Sequence, residues 1–148
     1  MATASKSQRL MLVSGLAETA LAKASDRLRA ANAYKDQQDE QLLNLKNYRD
    51  QYIETMRVSL HGQSNAYRLT SYQKFILQLA DAIAQQENIC KLAGDQCEAE
   101  RQKWLAAREK HKSMLRLAEQ TLAKEQAEAL KKEEARQMDD FIASRTRR

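Results

Sequence analysis

Apolar residues recur along this chain at alternating spacings of three and four, and this repeat constrains the fold more than any other feature. A seven-residue apolar repeat sustained over several heptads, with polar interruptions, is the signature of a coiled coil. In the first half of the chain it runs through Ala17, Leu21, Ala24, Leu28, Ala31, Lys35, Gln38, Leu42, Leu45, Arg49, Tyr52 and Met56. In the second half it runs through Tyr72, Ile76, Leu79, Ile83, Gln86, Cys90, Ala93, Cys97, Glu100, Trp104, Ala107, His111, Met114 and Ala118. The sequence therefore predicts an all-α fold.

Residues that break helices are concentrated in one place. The chain has no proline and three glycines, and its one cluster of turn signals is His61-Gly62-Gln63-Ser64-Asn65. Because Gly and Asn tolerate positive φ, the first helix should end there. We expect helices at about 6–60 and 66–143 joined by a turn at about 61–66, the second begun by Ser64 or by a capping box from Thr70 to Gln73. So short a turn makes the helices antiparallel, and we expect residues 1–148 to form a single coiled-coil hairpin.

Folding the chain about this turn predicts which residues face each other. Trp104 should face Ala24, so that a large side chain fills the space beside a small one. Nearer the turn, Ile76 should face Tyr52. The second helix is the longer one, and from about residue 124 it has no partner in this register. We expect it to overhang the first helix at the C-terminus, where a charged segment with few apolar residues is marginal on its own.

The chain offers little material for catalysis or metal binding. Cys90 and Cys97 lie two helical turns apart, roughly 10 Å along the axis, which suits neither a disulfide nor a chelating pair. The two histidines are His61 in the turn and His111 in the repeat. A two-helix hairpin also has no pocket that excludes water. We expect no enzyme, cofactor or metal site. With no run of about 18 apolar residues, we also expect no membrane insertion, and a cytoplasmic protein.

The apolar face near the turn is wider than one partner helix requires. Tyr48 on the first helix, and Phe75, Ala82 and Ile89 on the second, flank the repeat rather than belong to it. These residues lie on adjacent helices and should form one patch. A third helix could cover the patch if the chain associates with itself as a coiled-coil scaffold, or a different protein could dock on it.

Basic residues dominate the segment from 101 to 116, in a chain whose net charge is +5. Such a stripe indicates either an acidic partner, nucleic acid included, or a solvated face. Nucleic acid is the less favoured partner because Trp104 belongs to the repeat and acidic residues soon interrupt the stripe. The segment contains one acidic residue, Glu109, among Arg101, Lys103, Arg108, Lys110, Lys112 and Arg116.

Several motifs give the chain a family resemblance. YRDQY at 48–52, a short glycine-containing turn, YQKFILQLADAI at 72–83, Trp104 and RQMDDF at 136–141 follow in this order. Over nearly the whole chain they resemble the bacterial flagellar type III export protein FliJ family. The resemblance implies a non-enzymatic antiparallel coiled coil, like the central stalk of rotary ATPases, at the inner face of the cell membrane. It implies three kinds of partner: the hexameric flagellar export ATPase, the cytoplasmic side of the export gate protein FlhA, and flagellar export chaperones.

The resemblance also assigns binding residues. Carried over position by position, the gate-binding face becomes Gln41, Leu45, Tyr48, Tyr52, Phe75, Leu79, Ala82 and Gln86; Gln86 replaces a histidine that is familiar in the family. Most of these lie in the surplus apolar columns, which favours a docking patch. By the same resemblance the open end of the hairpin should enter the ATPase ring. There we expect the contacts to come from Arg101, Arg108, Lys112, Leu130, Met138 and Phe141.

Overall fold

Two long helices make up the fold. The computed structural model describes residues 3–61 and 66–147. Helix α1 spans Lys6–Leu60 and helix α2 spans Ala66–Thr146. They pack against each other, so the predicted all-α class is confirmed. The predicted turn falls largely on residues 62–65, which lie outside the described residues. Helix α1 has the predicted bounds, and α2 continues slightly beyond the predicted end.

The start of α1 is fixed by a capping box that the sequence contains. The backbone N–H of Ser5 donates to Oε1 of Gln8 at 3.0 Å, and the N–H of Gln8 donates to Oγ of Ser5 at 3.2 Å. This reciprocal pair satisfies two backbone donors that have no partner within the helix. The carboxylate of Glu125 in α2 accepts from the backbone N–H of Ser7 at 3.1 Å and from its hydroxyl at 2.5 Å. The start of α1 is therefore tied to α2.

The capping box expected at Thr70 is wrong. Thr70 lies inside α2, and its hydroxyl donates to the backbone carbonyl oxygen of Ala66 at 2.9 Å. A threonine hydroxyl that bonds back to the preceding turn belongs to a helix interior rather than to its cap. The other predicted cap, Ser64, lies outside the described residues.

The chain divides into two compact units, one formed by Ser25–Lys103 and the other by the residues up to Ala24 with those from Trp104 onwards. In the unit of Ser25–Lys103, the buried apolar residues are Leu79, Ile83, Ala93 and Cys97. Polar side chains share this seam, and the buried ones are Gln38, Gln86 and Glu100. Every member of the predicted repeat within this unit is buried or half-buried, which confirms the heptads there.

The seam of the other unit is built from small side chains. Ala17, Ala24 and Ala118 are buried, as are Ser7 and Ser14, whereas Trp104 is half-buried. The members of the repeat in this unit are likewise buried or half-buried. Beyond Glu125, the described side chains of α2 are exposed apart from a half-buried Glu133. Because Glu125 meets the first turn of α1, the rest of α2 projects past α1, as the sequence predicts.

Candidate functional site

Four aromatic rings cluster across the two helices in the unit of Ser25–Lys103. The Tyr52 ring is central: its centroid lies 4.4 Å from that of Phe75 and 5.5 Å from that of Tyr72. The Tyr48 ring meets the Phe75 ring edge-on, with 6.2 Å between their centroids. The centroid of Tyr48 lies 6.4 Å from that of Tyr52. These separations lie in the range of favourable aromatic pairs, worth about 0.5–1.5 kcal/mol each beyond burial. We call Tyr48, Tyr52, Tyr72 and Phe75 the aromatic cluster.

The aromatic cluster has a half-buried side, formed by Tyr52, Tyr72 and Phe75, and an exposed side at Tyr48. Burial of Tyr52, together with the neighbouring phenols of Tyr72 and Tyr48, raises the pKa of the Tyr52 hydroxyl above its ordinary value. The side chain of Tyr48 is 50% exposed to solvent. Tyr48 thus presents an apolar ring and a polar hydroxyl to solvent, a combination that is enriched in protein interfaces.

A shallow groove adjoins the cluster on α1. It has a volume of about 350 Å³ and is lined by Gln41, Asn44, Leu45 and Tyr48. Their spacing of three and four places them on one face of the helix. Asn44 was absent from the sequence-based assignment, although its position one turn before Tyr48 is the signal that could have included it. The groove extends the exposed side of the aromatic cluster with polar amides.

The residues assigned to gate binding lie in one unit but differ in accessibility. Gln41 and Tyr48 are exposed, and Leu45, Tyr52, Phe75 and Ala82 are half-buried. Leu79 and Gln86 are only 7% and 8% exposed to solvent, because both lie in the seam between the helices. The Gln86 amide nitrogen donates to Oε1 of Gln38 at 2.8 Å. These two residues therefore support the face from beneath and do not form its surface.

The basic residues assigned to the ATPase contact are exposed but fall in both units. Arg101, in the unit of Ser25–Lys103, lies 3.9 Å from the carboxylate of Glu98. In the other unit the Arg108 guanidinium carbon stands 5.5 Å from the centroid of the Trp104 ring, in cation–π geometry. Arg108, Lys112 and Arg116 follow one another at intervals of four, so they share a face of α2. Like charges at this spacing destabilise a helix slightly, a cost that an acidic partner would offset.

The apolar residues assigned to the ATPase contact line one side of the projecting end of α2. Leu130, Met138 and Phe141 are each more than half exposed. Their spacings of eight and three place them on a common helical stripe. The guanidinium carbon of Arg145 lies 5.6 Å from the Phe141 ring centroid, so a cation covers part of the Phe141 ring.

Other features of the described chain bear on chemistry. The Cys90 thiol is half-buried, and burial, followed by the nearby Asp39 carboxylate, raises its pKa. Such a thiol is less nucleophilic than a free one. Within residues 3–61 and 66–147, no group of three or more His, Cys, Asp or Glu side chains could hold a metal ion. In the same ranges, neither helix has a segment long and apolar enough to cross a membrane.

Comparison with known protein families identifies the family of this chain. The model of a family described as Flagellar FliJ protein matches residues 5–148. This range contains both helices and all of the residues assigned above to partner binding. No curated protein and no solved structure matches the chain.

Proposed function

Because the chain belongs to the FliJ family and is a component of the flagellar export apparatus, we propose that it acts there as a stalk-like coiled coil without enzymatic activity. In this proposal it binds the hexameric export ATPase and promotes assembly of the ring. It also docks on the cytoplasmic side of the export gate protein FlhA and escorts flagellar export chaperones. These partners place it in the cytoplasm, at the inner face of the bacterial membrane.

The observation that carries the gate contact is the half-exposed aromatic cluster beside the polar groove. Binding energy in protein interfaces is concentrated in a few aromatic anchors surrounded by polar groups. Tyr48 and Phe75 supply such anchors from α1 and α2, and Gln41 and Asn44 supply amides that can donate and accept hydrogen bonds. A partner that covers this face would bury both rings together.

Residues beneath the surface have a supporting role in this proposal. Gln86 holds α2 to α1 through Gln38, and Leu79 is buried in the seam one helical turn after Phe75. Both residues help to keep the two helices together, so part of the ordering cost is met before binding. Substitutions of Leu79 or Gln86 should therefore weaken docking indirectly, through the stability of the hairpin.

The ATPase contact is supported by charge and by the projecting end of α2. The face of Arg108, Lys112 and Arg116 can meet acidic groups on the inside of a ring. Leu130, Met138 and Phe141 are exposed apolar side chains on the part of α2 that projects past the described start of α1. A charged helix of this kind gains stability when a binding partner covers its apolar stripe.

The gate proposal is tested with the full chain and the purified cytoplasmic domain of FlhA. We expect Phe75→Ala to weaken binding about tenfold or more, the loss typical of an aromatic anchor. Leu92→Ala is the matched control, because Leu92 is an exposed apolar residue of α2 in the same unit. Circular dichroism must show similar helicity for both variants. Equal binding by the two variants, or complete unfolding of Phe75→Ala, would contradict the assignment.

The exposed apolar surface also favours a second candidate, a scaffold that associates with itself. Sedimentation of the wild-type chain separates the two. If the aromatic cluster is the self-association surface, the wild-type protein is oligomeric and Phe75→Ala is monomeric. If the cluster is a docking surface for the gate, Phe75→Ala leaves the oligomeric state unchanged and alters only the binding of FlhA.

A further inference from the structure

An apolar face near the start of α1 lies outside the residues assigned above to partner binding. Met11, Leu12 and Leu16 are 49%, 70% and 72% exposed to solvent. Beside them a groove of about 520 Å³ is lined by Ala4, Ser7, Gln8, Met11, Leu12 and Leu122. All of these residues lie in the unit that contains Trp104. None of the residues assigned to the gate or the ATPase belongs to this face.

Gly15 lies in the middle of the same face. Gly15 follows Met11 by four positions and precedes Leu16, inside a long helix where glycine is unfavourable. A Cβ atom built on Gly15 meets no other part of the described chain within 4 Å, so packing among these residues does not require glycine there. The position is a notch between large apolar side chains, and it lets a partner's backbone come close.

A basic residue stands at each end of the face, and the Glu125 carboxylate, which Ser7 binds, lies near Arg9. Arg9, Leu12, Leu16 and Lys23 follow one another at helical spacing along one stripe. The two basic residues are separated by four turns, about 21 Å along the axis. An occupant that matches this stripe needs apolar residues in its centre and acidic residues at both ends.

We propose that this face binds an acidic amphipathic helix of another protein, laid along α1 with its backbone over Gly15. Leu12 and Leu16 supply the apolar contact, and Arg9 and Lys23 pair with carboxylates at the two ends of the bound helix. Helix-in-groove docking of this kind uses apolar anchors three and four positions apart. The flanking charges select the partner and its register.

A second copy of the chain fits this face poorly. If two copies pair antiparallel along the full stripe, Arg9 of one copy approaches Lys23 of the other. If they pair in parallel, each basic residue approaches its own equivalent. Like charges opposed in this way disfavour the pairing, so the charge pattern favours an acidic partner.

The test uses the full chain in its own bacterium, with the photoreactive residue p-benzoylphenylalanine at position 16. A second chain carries the same residue at position 43 as the control, because Leu43 is an exposed apolar residue of α1 in the other unit. After irradiation, mass spectrometry maps the partner's crosslinked segment. The expected adduct at position 16 is a helical segment of another protein with acidic residues flanking an apolar centre. Adducts only with a second copy, a segment without acidic flanks, or a yield no higher than at position 43 would overturn the proposal.

Gly15→Ala distinguishes docking from a structural role. The added Cβ has open space around it within residues 3–61 and 66–147, so the substitution should raise the Tm by favouring the helix. It should also fill the notch and reduce the crosslink yield at position 16, by about tenfold if one well-packed contact is lost. A raised Tm with an unchanged yield would show that no partner backbone lies over Gly15. Arg9→Glu combined with Lys23→Glu should reduce the yield as well, whereas an unchanged yield would contradict the charge match.

Discussion

The side-chain amide of Gln86 donates both to Oε1 of Gln38, at 2.8 Å, and to the backbone carbonyl oxygen of Gln38, at 3.0 Å. Both glutamines are buried in the seam between the helices. A polar pair at a seam position costs stability relative to an apolar pair but specifies register, because a shifted register leaves both amides unpaired. The Gln38–Gln86 layer therefore helps to align the two helices in the unit of Ser25–Lys103.

This layer predicts a non-additive response to substitution. Gln86→Ala should lower the free energy of unfolding by about 1–3 kcal/mol, because it leaves a buried Gln38 amide without its partner. The Gln38→Leu/Gln86→Leu double variant should be close to wild type or more stable, because neither buried amide remains. Urea unfolding monitored by circular dichroism measures both. The single variants Gln38→Leu and Gln86→Leu complete the comparison. If their losses in unfolding free energy add up to the loss of the double variant, the two glutamines are not coupled.

The contact of Glu125 with Ser7 predicts an acid-sensitive start of α1. Hydrogen bonds from the Ser7 hydroxyl, and then from its backbone N–H, hold the pKa of the Glu125 carboxyl below its ordinary 4.5. A lowered pKa in the folded state contributes stability above pH 4.5, and that contribution is lost as the pH falls through the folded-state value.

The corresponding experiment compares unfolding of the wild-type chain and Glu125→Gln between pH 7 and pH 2. We expect the wild type to be the more stable at pH 7, and the difference to shrink as the pH falls below 4.5. Glu128→Gln is the control, since Glu128 is an exposed residue of the same helix. A difference between wild type and Glu125→Gln that stays constant with pH would show that ionisation of Glu125 does not stabilise the fold.

Trp104 and Ala24 provide a test of the seam in the other unit. Ala24 is buried and Trp104 is half-buried. Because the indole is only partly shielded, Trp104→Ala should cost about 2–3 kcal/mol, at or below the usual range for a core tryptophan. Ala24→Leu should cost about 1–3 kcal/mol by overfilling the same layer. Unfolding curves measure the two losses, and tryptophan fluorescence provides the check: an emission maximum equal to that of free tryptophan would contradict the predicted pairing.

The helices were predictable because the heptads are nearly continuous. The predicted members of the repeat avoid full exposure, even polar ones such as Lys35 and His111. Details at the ends were less predictable. The capping box of Ser5 and Gln8 is visible as a sequence pattern, but it was not predicted. The pattern at Thr70 was misleading, because a threonine hydroxyl can also bond back to the preceding turn of its own helix.

The binding face was harder to predict than the seam. A residue-by-residue resemblance does not separate side chains that project from those that support, so it includes the buried Leu79 and Gln86. Near the turn, Tyr52 is predicted to face Ile76, and the rings that it contacts, those of Tyr72 and Phe75, lie within about one helical turn of that position. Sequence spacing alone cannot specify how large aromatic side chains share the space between two helices.

The projecting end of α2 separates the export proposal from nucleic-acid binding. Removing the residues after 129 deletes Leu130, Met138 and Phe141, which lie beyond the contact of Glu125 with Ser7. The truncated chain should remain helical through that contact. We expect it to promote less ATPase ring assembly than the full chain, because the apolar stripe that we propose enters the ring is gone. Analytical sedimentation of the ATPase with either chain measures the difference.

Neutralising Arg108 and Lys112 provides the companion variant. Arg108→Gln with Lys112→Gln should weaken ATPase binding, and the difference from wild type should diminish at high salt, because surface charge pairs are screened. Arg68→Gln with Lys91→Gln is the matched control for net charge, because both residues are exposed, lie in the unit of Ser25–Lys103 and are assigned to no partner. Nucleic acid is the other candidate partner, and it predicts a different result. The truncation would not affect ring assembly, the wild-type chain would bind DNA or RNA with a steep dependence on salt, and the Arg108 and Lys112 variant would lose that binding. That outcome would assign the basic face to nucleic acid and contradict the stalk proposal.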